Sequence, residues 1–272
     1  MASRFAPRLR CAMRGAFLSL FCLLCVPPAG AKGPDNDATA LITKMENLYK
    51  NAKSFQGTIT MRRSGKTHVG KSFSLVGTRE VRFKAPNEVY DDQHYTGTGE
   101  ATRMSAQSVF YVGDGRSLYV YTPALRQYVK RPASPTVTLW QIMGRYMIIQ
   151  SRCTLSMGGA AKVNGRDAYI VIAKAKIPTK FPVNVKEADK PKIIDAIKRQ
   201  RPTQVFIDKH NYQLLRVAGG TDTTSDEINF VSQALNGQIA DSVFTFHIPA
   251  GAKLYAPPAN PADGNGLPNQ IK

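Results

Sequence analysis

The chain has 272 residues, 43% of them hydrophobic and 21% charged, with 37 Lys+Arg against 19 Asp+Glu; this is the composition of a globular protein and excludes one disordered throughout. Residues 1–31 hold four arginines and no acid, so most of the net charge of +18 belongs to residues 32–272. That remainder is long enough for one large β or α/β domain with its own core, and a second domain is not required.

Arg4, Arg8, Arg10 and Arg14 make a basic start, Ala16 to Val26 an apolar run, and Ala29-Gly30-Ala31 a small-x-small cleavage pattern. This is the layout of an export signal removed after Ala31. The run is shorter than the roughly 20 apolar residues of a membrane-spanning helix, and the exported chain is expected in the periplasm. Cys25 follows Leu23-Leu24, where a lipid-attachment site would place a small residue, so no lipid anchor is expected. Loss of the signal removes Cys11, Cys22 and Cys25 and leaves Cys153 alone, which rules out an internal disulfide. The core must hold the fold unaided, with Cys153 read as a small buried hydrophobe.

Asp37 is placed to cap a helix over 38–53, because Leu41, Met45, Leu48 and Ala52 recur at helical spacing. The period then changes to two. Phe55, Gly57, Ile59 and Met61 alternate with polar partners, followed by Phe73-x-Leu75 and Val81-x-Phe83, which predicts half-buried antiparallel strands. Segments 109–112 and 118–122 flank Gly113-Asp114-Gly115, a hairpin turn by its backbone freedom. Pro132 and Pro135 stop the next strand, and residues 136–150 place Leu139, Trp140, Met143, Tyr146 and Met147 on one helical stripe. Strands are predicted again at 167–173, 203–207, 213–218, 227–232 and 243–248, with a charged helix at 186–199 between them. Residues 256–272, with four prolines, read as a loose tail. The sum is a mainly β, α+β protein built on one curved sheet: a signal at 1–31, a domain at 32–255 and the tail.

Catalytic motifs are missing from the exported part. It has no Gly-rich phosphate loop, HExxH, GxSxG or paired CxxC, and His68, His94, His210 and His247 are scattered without ligand spacing. No metal and no cofactor is expected, because Asp91-Asp92-Gln93-His94 and residues 222–227 lack the oxygen spacing of a calcium loop. The basic excess is spread over Arg62, Arg63, Lys66 and Lys71, over Arg126, Lys130 and Arg131, and over 186–201. An exported chain meets anionic head groups rather than nucleic acid, so Arg62, Arg63, Lys130 and Arg131 are expected to face a membrane surface, against the plainer reading of solvated strand faces.

Several segments, in order, carry a family resemblance: SFQGTIT after the first helix, VRFKAPNEV, YVGDGRSLYVYTPALRQYVKR, QVFIDKHNYQLLRV and DSVFTFHIPAGAKL. Together they resemble the LolA-like family, the periplasmic lipoprotein-sorting carriers and their relatives, over roughly Asp37 to Tyr255. The resemblance implies an incomplete antiparallel β-barrel around an apolar cavity, with a helical lid. On such a sheet Ile59, Phe73, Leu75, Val81, Phe83, Leu118 and Val120 would share the concave face, and Trp140, Met143 and Met147 would close it, a lining suited to acyl chains. Where the carriers have an arginine that holds the lid, this chain reads Lys84-Ala85-Pro86. The function implied is a non-catalytic carrier or chaperone for lipid or acylated lipoprotein, delivering to an envelope acceptor protein. The alternative is a sensor module that recognises lipoproteins; those relatives carry a further C-terminal domain, and the proline-rich end here points to the carrier. An envelope hydrolase would need convergent polar groups that the sequence does not place.

Overall fold

The computed structural model describes residues 37–67, 69–102, 108–143, 152–181 and 185–255. The expected export signal and the tail lie outside the described residues. Asp37 accepts hydrogen bonds from the Thr39 and Ala40 N–H groups at 2.7 and 3.4 Å, satisfying two of the orphan donors that open a helix. The helix it caps, α1 (Ala38–Lys50), ends three residues earlier than its sequence pattern suggests. Asn51 closes it, donating its N–H to the Asn47 carbonyl at 3.0 Å.

Among the described residues twelve strands come after it: β1 (Ser54–Lys66), β2 (Ser72–Lys84), β3 (Glu88–Gly99), β4 (Val109–Asp114), β5 (Ser117–Thr122), β6 (Gln127–Pro132), β7 (Cys153–Val163), β8 (Arg166–Ala175), β9 (Thr203–Asp208), β10 (Leu214–Gly220), β11 (Thr224–Leu235) and β12 (Lys253–Leu254). Two further helices are α2 (Leu139–Met143) and α3 (Lys190–Lys198). All strands lie in one sheet of order β12-β6-β5-β4-β3-β2-β1-β11-β10-β9-β8-β7. Neighbours pair antiparallel, except for β12 beside β6. The sheet does not close on itself, so this is an incomplete, antiparallel-rich barrel with α1 and α2 on one face.

Several sequence expectations change here. The pairs Phe73-x-Leu75 and Val81-x-Phe83 belong to one long strand, β2, continuous through Gly77. Strands β3 and β7 were not legible, because β3 places Asp91 and Gln93 where the alternation would want apolar residues and β7 is broken by a bulge between Met157 and Gly159. The charged helix at 186–199 shortens to α3, with a single 3-10 turn over Glu187–Asp189 before it. The helix expected at 136–150 starts at Leu139 rather than at 136, residues 136–138 being described but not helical, and 144–150 lie outside the described residues.

The largest correction concerns 243–248, which form no strand. A 3-10 turn over Asp241–Phe244 leads into a strap across the sheet face opposite α1. Phe244 is buried there, and the Phe246 ring stacks on Tyr119 with centroids 4.7 Å apart and sits 5.5 Å from Tyr128. Alternating phenylalanines produced the strand-like period, but aromatic packing rather than a hydrogen-bonded ladder uses them.

On the opposite face, α1 fills the main core. Leu41, Ile42, Met45 and Tyr49 pack with Phe55, Ile59, Val81, Phe83, Val171, Val205, Ile207, Leu214 and Phe230. Gly57 is needed there, since a side-chain carbon at that position would lie 2.6 Å from the Phe55 ring.

Candidate functional site

In an antiparallel ladder, directly opposed residues share a face, so the register assigns each predicted lining residue. One row reads Phe55, Phe83, Val89, Gly113, Leu118 and Arg131; the next reads Gly57, Val81, Asp91, Tyr111, Val120 and Val129. Ile59 opposes Arg79, Arg63 opposes Leu75, and Gly65 opposes Phe73. Ile59, Phe73, Leu75, Val81, Phe83, Leu118 and Val120 therefore lie on one face, the inner face covered by α1.

They do not form one cluster. Ile59, Val81 and Phe83 are fully buried under α1, and Met143 of α2 joins them. Leu118 and Val120, with Tyr111 and Val129 beside them, are only half-buried. Leu75 is six residues along β2 from Val81, about 20 Å at strand rise, and neither it nor Phe73 belongs to the core cluster. Trp140 is half-buried and packs against that cluster, with the Lys50 ammonium 4.7 Å from its ring centre. Met147 lies outside the described residues.

A buried ion pair was missed. Arg79 on β2 donates through Nε and Nη2 to the two carboxylate oxygens of Asp91 on β3 at 2.7 and 2.6 Å, and both side chains are almost fully buried. Gln93 Nε2 donates to Asp91 Oδ2 at 2.8 Å, and Tyr95 Oη donates to Gln93 Oε1 at 3.0 Å. Arg79 Nη2 also donates to the Ile142 carbonyl of α2 at 3.2 Å. One guanidinium thus links two strands to the second helix. The resemblance pointed to Lys84-Ala85-Pro86 as the stretch lacking a lid-holding arginine, yet an arginine five residues earlier touches that helix. Its signal was parity: Arg79 has the same strand phase as Leu75, Val81 and Phe83.

The predicted basic set divides. Arg62 and Arg63 are neighbours on β1 and so point to opposite faces. Arg63 pairs with Asp226 at 3.1 Å, and Arg62 lies opposite Glu227 across the β1–β11 ladder. Acids on β11 offset this pair, which is therefore not a free cationic patch. Lys130 and Arg131 likewise face opposite sides. Lys130 lies over the Tyr119 ring on the strap side, at 5.4 Å, whereas Arg131 shares the inner row with Leu118.

Of the hollows formed by described residues, two contain no predicted lining residue. One of about 390 Å³ lies under the strap between Arg82, Tyr90, Phe110, Thr245 and His247. The other, about 670 Å³, lies between Lys53, Lys84 and residues 236–240.

The titratable groups read as structural. Burial pushes the Tyr49 phenol well above its usual range; its hydroxyl accepts from the Leu214 N–H at 3.1 Å and donates to Gln233, tying α1 to β10 and β11. Burial opposes the charge of Asp208, but hydrogen bonds from the His210 and Asn211 N–H groups and the Arg166 guanidinium outweigh it and hold the carboxyl below its ordinary value. Burial raises the Cys153 thiol, which disfavours the nucleophilic thiolate. Among the described residues no group of three His, Cys, Asp or Glu side chains is placed to hold a metal ion. No described helix is long and apolar enough to cross a membrane.

The family described as "Predicted periplasmic protein (DUF2092)" matches residues 38–157, less than half of the chain. No curated protein matches the chain. Among solved structures, an uncharacterized conserved protein from Thermus thermophilus is similar at 11% identity and a TM-score of 0.43, over 80% of this chain and 98% of that one. Mycobacterium tuberculosis lipoprotein LppX is similar at 15% identity and 0.39, over 75% and 99%. A LolA superfamily protein from Nitrosomonas europaea is similar at 11% identity and 0.28, over 77% and 97%.

Proposed function

We propose that this chain is a non-catalytic periplasmic carrier or chaperone that takes up acyl chains of lipid or lipoprotein along the inner face of β4–β6. The observation that carries this reading is the half-buried apolar row of Tyr111, Leu118, Val120 and Val129, on the same face as the closed core and joined to it through Phe83 and Val89. A hydrocarbon laid there removes apolar surface from water on both sides, at about 0.8 kcal/mol per buried methylene. A trough that only half covers its own lining suits cargo that must also leave.

The Arg79–Asp91 pair supports a moving cover. Its charges hold β2 and β3 in one register, while the bond to the Ile142 carbonyl can break without leaving either charge unpaired. Export by the signal at 1–31, a binding domain over 32–255 and delivery to an envelope acceptor complete the reading. The description of the family matched at 38–157 agrees with that compartment.

Lipid extraction and native mass spectrometry of the mature chain from a lipid-containing host test this. Acylated species should accompany the protein, and Leu118→Asp or Val120→Asp should lower that load several-fold while the variants stay folded. Bare protein under mild conditions, or an unchanged load in both folded variants, would sink the carrier.

A further inference from the structure

The basic residues are not distributed evenly once the sheet is assembled. No acid occurs between Asp114 and Asp167, and none from Ser242 to Tyr255. These two stretches meet at one end of the sheet, where β12 adds in parallel to β6. The Lys253 N–H donates to the Arg126 carbonyl at 2.9 Å and the Tyr255 N–H to the Tyr128 carbonyl at 2.8 Å, so the β5–β6 turn and β12 form one continuous edge. Among the described residues, Arg126, Lys130 and Lys253 form no ion pair there, whereas Arg63, Lys71 and Lys162 elsewhere each meet a carboxylate.

The same edge exposes apolar side chains. Leu125 at the turn is 64% exposed, Leu254 58% and Tyr255 37%. The other described leucines are buried or half-buried, and these three residues inside an acid-free collar form an amphipathic surface: apolar tips for the headgroup and acyl boundary, with cations beside them for lipid phosphates. An acidic protein partner would satisfy the charges but would leave Leu125 and Leu254 needing matched pockets. A bilayer accepts both without shape complementarity.

We infer that the edge made by the β5–β6 turn, β6 and β12 docks this protein on an anionic phospholipid bilayer, with Leu125, Leu254 and Tyr255 seated among the head groups and Arg126, Lys130 and Lys253 against their phosphates. From the carrier reading it takes only that the chain meets a lipid surface. It specifies which surface of the molecule does so, and Arg62 and Arg63 have no part in it.

Co-sedimentation of the mature chain with phosphatidylglycerol-containing vesicles, and with phosphatidylcholine vesicles as the neutral arm, tests the edge. Binding should require the anionic lipid and weaken as salt rises. Replacing Arg126, Lys130 and Lys253 together by Gln should weaken it about a hundredfold, because all three are exposed and none supports the core. Replacing Lys186, Lys192 and Lys198 by Gln removes the same charge from the α3 region and should change binding by less than about twofold. Leu125→Ser with Leu254→Ser should abolish the binding that survives at high salt. Equal losses in the two charge triples, binding to neutral vesicles as strong as to anionic ones, or an edge triple that loses affinity for soluble heparin but not for vesicles would each overturn the proposal. Acyl material co-purifying with a protein indifferent to vesicles would overturn this docking edge and leave the carrier standing; vesicle binding by a protein that carries no acyl material would do the reverse.

Discussion

The two ends of the inner face are built from the same alternating pattern and end up in different states. At the β1–β2 and β8–β11 end, α1 lies down on the sheet and its Leu41, Ile42, Met45 and Tyr49 are at most 1% exposed. At the β4–β6 end, Tyr111, Leu118, Val120 and Val129 stay half-buried, while Phe110, Tyr119 and Tyr128 turn to the other face, where Phe246 packs on them. One end and the strap provide the packed interior, and the carrier reading proposed above would place cargo on the half-buried stretch, so that stability and binding would fall to different parts of one sheet.

The hardest test of that contrast falls on the pair between the two ends. Arg79→Leu leaves Asp91 buried without its guanidinium and should cost about 3–5 kcal/mol, read by urea denaturation. Arg79→Met combined with Asp91→Leu should recover much of that loss, because no lone charge remains. If the single variant costs no more than a surface substitution, the pair does not join the halves.

Next in size is a direct comparison of the ends. Leu41→Ala empties a filled site and should cost about 2–5 kcal/mol. Val120→Ala, on the half-buried row, should cost at most about 1 kcal/mol while reducing the acyl load. Equal stability losses would mean that the β4–β6 end is ordinary core.

The smallest effect is a pH dependence confined to the filled end. Asp208 has a lowered carboxyl pKa in the folded state, so its contribution is complete above the ordinary value of about 3.9 and disappears as pH falls through the lowered one. Wild type should lose stability below about pH 4 more steeply than Asp208→Asn. Parallel acid limbs would remove Asp208 from the account.

Legibility in the sequence tracked the strength of the local signal. The α1 cap at Asp37, the turn at Gly113-Asp114-Gly115 and the alternation within β1 and β2 could be read directly, since capping, turn geometry and alternation are properties of a few consecutive residues, whereas the common face of Ile59, Val81, Phe83, Leu118 and Val120 was only implied by the family resemblance. Strand β3 was hidden because its inner positions hold Asp91 and Gln93, polar residues that make sense only beside Arg79. The segment at 243–248 misled for the opposite reason: its phenylalanines alternate, but their partners Tyr119 and Tyr128 come from far up the chain.

Sequence by itself thus determined the mainly β character, the strand phases and the basic excess, all of which come from side-chain periodicity and counting. Only the tertiary structure decided which part of the common face α1 would fill, which arginines would find acids, and where two acid-free stretches separated by 75 residues of chain would join into one edge. Those outcomes depend on strand order and register, and a helix or a charge finds its partner only after the sheet has brought distant segments together.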